Sequence, residues 1–381
     1  MGGCAPFWKL RERIVSRLKT PAFRDRDSAL SASMQWLCRA QDATGGGGVS
    51  TAYDLRQGWL PAFPETTGYI APTFFNYAQL TGQSGFRDRA LGMLDWLCQV
   101  QNPDGSIHAV IPGMEKPVIF DTGQVLFGFL RGFLETRNEA YLSRAEKCGT
   151  WLVSVQDSDG KWSRHEFLGH LHAYNTRVAW ALAELAKVTG KPAFAGAAEK
   201  NLNWASGRQL DNGWFQNNAF SPEQPTYTHT LAYVTRGFLE CGILNGRQDW
   251  IGRAKSTADA LMQRQRPDGS LSGSYGTEWE PTASSTCLTG NAQMAFIWLR
   301  FYQLTREDAY RIFAQRAIDY LALRQERSRL WVNIRGAMAG SVPIDGNYLP
   351  YVYPNWASKF FCDLLMREQT IDDGGSALIF Y

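Results

Sequence analysis

The stretch WLCQVQNPDG at residues 96–105 returns with the same spacing as WLVSVQDSDG at residues 151–160. In both, a tryptophan is followed five positions later by a glutamine and then by a glycine that can close a turn. The glutamine recurs six times, at Gln41, Gln101, Gln156, Gln209, Gln265 and Gln325. A large aromatic precedes it by five positions in five of the units, at Trp36, Trp96, Trp151, Trp204 and Tyr320, with Ala260 as the exception. Self-similarity at a nearly fixed period predicts one supersecondary unit that is stacked along the whole chain.

Each unit is predicted to contain an amphipathic outer helix and a buried inner helix. In the second unit Leu91, Leu94 and Leu97 fall at helical spacing before Gln101. Residues 125–134 are almost wholly apolar, which is typical of a helix that is buried on nearly all sides. The inner helices are expected to start near Thr66, Asp121, Asn175, His229, Thr289 and Asn355, where side chains such as Asp121 and Thr122 can serve as helix caps.

Six such hairpins predict an all-α fold that closes into an (α/α)6 toroid. An open solenoid is the alternative, but it would leave apolar faces exposed at both ends. We expect a basic helical segment at residues 1–24, the toroid at residues 25–368 and a tail at residues 369–381. The connections from inner to outer helices are short, whereas those from outer to inner helices are long. Because the hairpins alternate in direction, all the long loops must lie at one end of the ring, where a site is expected.

Composition restricts the classes of partner. The formal net charge of the 381 residues is only +3, so nucleic acid is not expected as a partner. No apolar run reaches membrane-spanning length, no signal-peptide core is present, and the seven cysteines lack metal-binding spacing. We therefore expect a cytoplasmic protein without a cofactor or a metal. Residues 7–19 form an amphipathic basic pattern, which fits either a helix capping the ring or weak contact with a membrane surface.

The candidate catalytic residues are polar groups gathered in the long loops or at the starts of inner helices. All five histidines fall there, and His229 is the best placed of them to act as a general acid or base. Glu65 directly precedes an inner helix inside the aromatic segment of residues 59–69, although a charge that favours the helix dipole is its plainer role. The full set of predicted catalytic residues is Glu65, His229, Asp121, Glu166 and Glu278.

The candidate substrate-binding residues combine flat aromatic rings with hydrogen-bonding groups. Aromatic faces stack on the C–H faces of sugar rings, and polar groups between them can bind the hydroxyls. Arg177 and the positive ends of the inner helices would favour an anionic substrate such as a uronate, unless Arg177 is only an ion-pair partner of Asp121 or Glu65. The predicted set is Trp59, Arg177, Tyr174, Tyr227, Trp214, Trp279, His172, Asn355 and Tyr351. His170 and His172 lack a third metal ligand at convincing spacing, so no metal site is predicted.

Two families resemble this sequence. Trp96, Gln101 and Gly105, together with Trp151, Gln156, Gly160 and Trp162, look like the glutamine-tryptophan repeats of terpene cyclases and prenyltransferases. The layout of residues 25–368, including residues 59–69, more closely resembles six-hairpin glycosidase-like proteins of bacterial exopolysaccharide biosynthesis. That second resemblance implies an (α/α)6 toroid acting on carbohydrate as a hydrolase, lyase or epimerase, and it carries over no catalytic residue.

These resemblances leave three hypotheses about function. The first is an enzyme that hydrolyses a glycan through two carboxylates, or eliminates or epimerises at a uronate through His229 and a tyrosine. The second is a terpene cyclase or prenyltransferase, against which stands the lack of an Asp-x-Asp-Asp acid, since Ile371-Asp372-Asp373 lacks the first aspartate. The third is a non-catalytic scaffold or glycan-binding module, because fold alone does not imply function.

Overall fold

Helices dominate the computed structural model, which describes residues 25–109, 116–372 and 378–381. The predicted amphipathic segment at residues 7–19 lies outside the described residues. Twelve α-helices are found within them, and we number these in chain order: α1 (Arg26–Asp42), α2 (Pro64–Thr81), α3 (Ser84–Val100), α4 (Ile119–Thr136), α5 (Glu139–Ser154), α6 (Thr176–Thr189), α7 (Pro192–Ser206), α8 (Thr228–Asn245), α9 (Gln248–Met262), α10 (Leu288–Thr305), α11 (Asp308–Arg324) and α12 (Asn355–Gln369).

The even-numbered helices form a closed inner ring. Each packs against the next in the order α2, α4, α6, α8, α10 and α12, and α12 packs against α2. Each inner helix also packs against the outer helix that follows it, except that α12 pairs with α1. The chain therefore forms the predicted (α/α)6 toroid, and the open solenoid is excluded because the first and last inner helices touch.

The repeated glutamine explains how the outer ring is held together. The side-chain Nε2 of each glutamine donates a hydrogen bond of 2.8–3.0 Å to a backbone carbonyl of the next outer helix. The acceptors are the carbonyls of Arg89, Arg144, Ala197, Arg253, Phe313 and Ala29, and the last of these lies in α1. Gln325 of the sixth unit thus closes the ring by bonding back to the first outer helix.

The turn glycines are packed against the same neighbouring helices. A Cβ on Gly105, which has a φ of +97°, would lie 2.3 Å from the carbonyl oxygen of Lys147 in α5. Gly336 fills the equivalent place in the sixth unit, where a Cβ would lie 2.1 Å from the carbonyl oxygen of Ala32 in α1. The repeat does not predict Gly336, because a longer segment separates it from Gln325 than separates Gly105 from Gln101.

Short strands tie the long loops to one another at the rim. They are β1 (Ala52–Asp54), β2 (Gly58–Trp59), β3 (Thr226–Tyr227), β4 (Ser274–Tyr275), β5 (Thr286–Cys287), β6 (Ser341–Val342) and β7 (Val352–Pro354). All their pairings are antiparallel: β1 with β2 and β7, β3 with β4, and β5 with β6. Since β1 belongs to the first long loop and β7 to the sixth, the rim closes as well.

The predicted helix caps at Asp121 and Thr122 are wrong, because α4 begins two residues before Asp121. The cap position of α4 is Val118, which makes no side-chain cap. The Thr122 hydroxyl donates to the carbonyl of Val118 at 2.8 Å and accepts from the backbone N–H of Ile107 at 3.0 Å. In the first unit the Thr67 hydroxyl donates to the carbonyl of Phe63 and accepts from the backbone N–H of Val49. These threonines fasten the incoming loop to the inner helix.

Residues 378–381 occupy the end of the ring opposite the long loops. The Tyr381 ring stacks on Phe127 of α4 with centroids 4.6 Å apart, and the Lys359 ammonium donates to the Tyr381 main-chain oxygen at 2.6 Å. The guanidinium groups of Arg131 and Arg236 donate to the carbonyls of Ile379 and Phe380. In the part of the chain that the structure describes, no helix is long and apolar enough to cross a membrane.

Candidate active site

A cavity of about 210 Å³ opens at the amino-terminal ends of the inner helices, under the long loops. The first turns of α2, α4, α8 and α12 supply Glu65, Asp121, His229 and Trp356, and deeper positions supply Tyr69 and Tyr233. Loop residues complete its wall. Nine aromatic side chains surround three titratable groups and one leucine, and the full lining is Phe63, Glu65, Tyr69, Phe120, Asp121, Phe167, Tyr174, Phe220, His229, Tyr233, Tyr348, Leu349 and Trp356.

Two carboxylates lie in this cavity on neighbouring inner helices. Burial raises the pKa of Glu65 to about 8, against the opposing effects of the Arg177 charge and a hydrogen bond from Tyr69. Burial and then the negative charge of Glu65 raise the pKa of Asp121 well above its usual range. Asp121 is only 2% exposed, and its Oδ2 has no hydrogen-bond partner. At neutral pH both carboxyls are therefore mostly protonated. As the pH rises Glu65 ionises first, because the Arg177 charge favours its carboxylate and no cation lies beside Asp121.

His229 is an uncharged member of the lining. It is buried in the first turn of α8, and burial lowers its pKa to about 3. Its ring lies 4.6 Å from that of Tyr348 and 5.6 Å from that of Tyr233. Its Nδ1 lies 3.7 Å from the Cys287 Sγ. An imidazole in this environment can donate or accept a hydrogen bond, but it is a weak base.

Glu166 and His172 form a buried pair behind the cavity wall. The His172 Nδ1 lies 3.0 Å from Glu166 Oε2, and the His172 Nε2 lies 3.2 Å from the carbonyl oxygen of Phe220. The His172 ring stacks on Tyr174 with centroids 4.4 Å apart. Asn175 donates to the other Glu166 oxygen at 2.8 Å. The pair thus positions two rings of the lining, Tyr174 and Phe220, and does not itself face the cavity.

Arg177 lies beneath the floor of the cavity. Its side chain is fully buried, and its guanidinium carbon lies 5.4–5.9 Å from five ring centroids, namely those of Tyr69, Phe127, Trp180, Tyr233 and Phe360. Its Nε donates to Gln124 Oε1 at 2.7 Å, and neither Nη has a hydrogen-bond partner. Tyr69 and Tyr233 line the cavity above it, so Arg177 acts on Glu65 through its electrostatic field rather than by contact with a ligand.

The remaining predicted residues lie outside the cavity lining. Tyr227 is nearest, with its ring 5.2 Å from that of Tyr348. Asn355 is buried, and its amide donates to Ser50 and Thr66. The others belong to the outer parts of the loops: Trp59 packs on Trp36 and Tyr53, Trp214 packs on Trp279, Tyr351 is half-buried in the sixth loop, and Glu278 is exposed.

Sequence reasoning missed most of the aromatic lining, although two residues carried a usable signal. Tyr69 follows Glu65 by four positions and Tyr233 follows His229 by four, so each lies one helical turn deeper on the same face. Phe120 and Trp356 adjoin predicted residues in the chain. Phe167, Phe220 and Tyr348 come from irregular loops, where no periodicity indicates which side chains face inward.

The described residues include no group of three His, Cys, Asp or Glu side chains arranged to hold a metal ion. The polar groups that line the cavity are the carboxyl pair, the neutral imidazole and the tyrosine hydroxyls.

Comparison with solved structures identifies the fold. An unsaturated glucuronyl hydrolase from a Bacillus species matches with a TM-score of 0.73 at 16% identity, over 91% of this chain and 97% of that one. Cellobiose 2-epimerase from Bacillus thermoamylovorans matches with a TM-score of 0.71 at 12% identity, over 90% and 98%. A family 88 glycosyl hydrolase from Bacteroides vulgatus matches with a TM-score of 0.68 at 13% identity, over 91% and 100%.

These likenesses confirm the predicted (α/α)6 toroid as the fold. No known family profile matches the sequence. No curated protein matches it either.

Proposed function

We propose that this chain is a glycoside hydrolase that acts on a glycan with the Glu65–Asp121 pair. The observation that carries the proposal is the placement of two carboxyl groups, one of them without a hydrogen-bond partner on Oδ2, in a single aromatic cavity. Glycosidases of most families use two such groups, one as an acid and one as a base or nucleophile. The fold neighbours include enzymes named as glycoside hydrolases and sugar epimerases.

The lining suits a sugar ring. Aromatic faces can stack on the C–H faces of a sugar, while the hydroxyls of Tyr69, Tyr174, Tyr233 and Tyr348 and the His229 imidazole can bind its hydroxyls. The cavity volume of about 210 Å³ lies below the range of about 300–1,000 Å³ that is usual for ligand pockets. We therefore expect the cavity to take one sugar unit at the end of a chain.

The environments of the two carboxyls assign their roles. Asp121 has no hydrogen-bond partner on Oδ2 and no cation beside it, so it retains its proton and donates it to the leaving glycosidic oxygen. Glu65 receives a hydrogen bond from Tyr69 and feels the Arg177 charge, so it ionises first. Its carboxylate then serves as the nucleophile or as the base that activates water.

The lyase or epimerase hypothesis receives less support from the site. It requires a base for the C5 proton of a uronate, and His229 was predicted to fill that role. An imidazole whose pKa has fallen to about 3 is too weak a base for a C–H proton. The resemblance to exopolysaccharide proteins supports a setting in polysaccharide biosynthesis or modification, and the cytoplasmic location predicted from the cysteines belongs to the same proposal.

The proposal is tested with a panel of aryl glycosides and with Asp121→Asn and Glu65→Gln. We expect each variant to lose about 10²–10⁴-fold in kcat/KM on substrates with poor leaving groups. On a dinitrophenyl glycoside, whose leaving group needs no proton, Asp121→Asn should recover nearly full activity and Glu65→Gln should not. The exposed Glu278→Gln on the same rim serves as the matched control. Equal losses in Glu278→Gln and Asp121→Asn, or saturable glycan binding without turnover by the unmodified protein, would reject the hydrolase.

A further inference from the structure

The charge of the cavity decides which sugars it can hold. Among the described residues, no lysine or arginine lines the cavity, and the lining groups that can carry a negative charge near neutral pH are Glu65 and Asp121. His229 is neutral, and the remaining groups are aromatic rings and one leucine. Once Glu65 ionises, a ligand in the cavity meets a negative field from the side chains that touch it, and an ammonium group on the ligand itself favours that ionisation.

The positive features near the cavity are Arg177 and the amino-terminal ends of the inner helices. The Arg177 guanidinium is fully buried and shielded by the rings of Tyr69 and Tyr233. The positive ends of α2 and α4 carry the protein's own carboxyls, Glu65 and Asp121, in their first turns. The ends of α8 and α12 carry no carboxyl, but a helix end attracts an anion less strongly than a nearby ionised carboxylate repels it.

The aromatic lining adds to the preference for positive charge. Ring faces carry negative partial charge, so an ammonium group near several faces gains cation–π attraction in addition to its attraction to a carboxylate. Nine aromatic side chains line the cavity beside the two carboxyls. Unit charges interact several times more strongly in a partly buried site than in water, so an ionised Glu65 can discriminate between ligands of opposite charge.

We propose that the cavity selects a sugar that carries a free amino group, such as a terminal 2-amino-2-deoxyhexose, and disfavours a uronate. This inference rests on the proposed function, because it assumes that a sugar occupies the site. It replaces the anionic substrate suggested by the sequence, in which Arg177 would have held the carboxylate. The ammonium would lie against the Glu65 carboxylate, with the aromatic rings around it.

The test uses matched methyl glycosides in the gluco, galacto and manno series, each as the neutral hexoside, the 2-amino-2-deoxyhexoside and the uronide. Their binding to the unmodified protein is measured by calorimetry at low salt and pH 7.5, close to the pKa of about 8 at which Glu65 ionises. In the series that binds, we expect the amino sugar to bind at least 10-fold more tightly than the uronide. Glu65→Gln should reduce that ratio several-fold, whereas the exposed control Glu278→Gln should leave it unchanged.

The outcomes separate the inference from the function on which it rests. A uronide that binds as tightly as the amino sugar overturns the inference while leaving a glycan-binding site intact. An unchanged ratio in Glu65→Gln also overturns it, because the discrimination would then arise elsewhere. If no glycoside of any charge binds or is hydrolysed, the proposed function itself fails.

Discussion

At the scale of single residues, the site combines groups that folding does not favour. Glu65 and Asp121 are held in an apolar cavity where their ionised forms are poorly solvated. A structural role would place such carboxyls beside cations at short distance, as the 2.7 Å contact between Lys359 and Asp363 does elsewhere in the ring. Poorly solvated carboxyls that persist in a cavity are typical of functional sites.

The free energy of unfolding of Glu65→Gln should differ from that of the unmodified protein in a way that depends on pH. Because the folded-state pKa of Glu65 is raised to about 8, the folded protein keeps a proton that the unfolded chain releases. The stability of the unmodified protein should therefore fall as the pH rises from about 5 to 9. Glutamine does not ionise, so it removes this pH dependence. The free energy of unfolding of Glu65→Gln should match that of the unmodified protein at pH 5 and exceed it by about 1–3 kcal/mol at pH 9.

Denaturant unfolding across that pH range measures the difference, and Glu278→Gln, which alters an exposed carboxyl, should show no such trend. A constant difference between Glu65→Gln and the unmodified protein at all pH values would contradict the raised pKa.

The sequence identified the catalytic candidates at this scale better than it identified the cavity wall. Glu65, Asp121 and His229 could be chosen because each lies at the start of a buried helix, and the structure brings them together. The tryptophans were less informative, since Trp59, Trp214 and Trp279 pack on other aromatic rings away from the cavity. A bulky loop side chain can pack outward or inward, and neither composition nor spacing distinguishes the two cases.

At the scale of the helices, the inner ring is tight because glycine allows backbones to touch. A Cβ on Gly128 of α4 would lie 2.5 Å from the Gly68 carbonyl oxygen in α2, and a Cβ on Gly68 would lie 2.6 Å from the Val125 Cα. Similar contacts join α6 to α8 at Gly237 and α8 to α10 at Gly290. The hydrophobic pattern predicted that these helices are buried, but it could not reveal which glycines form the contacts.

Gly128→Ala should therefore destabilise the protein by about 1–3 kcal/mol, because the added methyl group forces two helix backbones apart. Gly252 in the outer helix α9 provides a matched control, since a Cβ there meets nothing within 4 Å. In that position the better helix propensity of alanine should stabilise the protein by about 0.5–1 kcal/mol. Thermal and denaturant unfolding measure both changes. If the two variants shift stability in the same direction, the close packing of α2 and α4 is not present in solution.

At the scale of the whole molecule, closure depends on the sixth glutamine as much as on the other five. The Gln325 Nε2 donates to the Ala29 carbonyl at 2.8 Å and to the Ser33 hydroxyl at 2.8 Å, so the last outer helix is bonded to the first. Gln156 makes the corresponding bond to Ala197 within the ring, at 2.9 Å. The toroid and the position of its long loops followed from the repeat, whereas the seating of residues 378–381 against Lys359, Arg131 and Arg236 lay outside the repeat.

Gln325→Ala and Gln156→Ala should lower the free energy of unfolding by similar amounts, about 1–3 kcal/mol each, because both remove the buried hydrogen bonds that join neighbouring outer helices. Parallel denaturant titrations compare them. A negligible effect of Gln325→Ala beside a clear effect of Gln156→Ala would mean that the sixth unit is not fastened to the first.

The pairing of α12 with α1 affects how the protein unfolds. In a linear array the terminal repeat has a neighbour on one side only, so it frays first and unfolding can proceed inward unit by unit. A circle has no such weak starting point, because every hairpin is covered on both flanks. Loss of any one hairpin exposes two others at once, so we expect all six to melt together, with the amides of the inner helices exchanging with solvent at a common, slow rate.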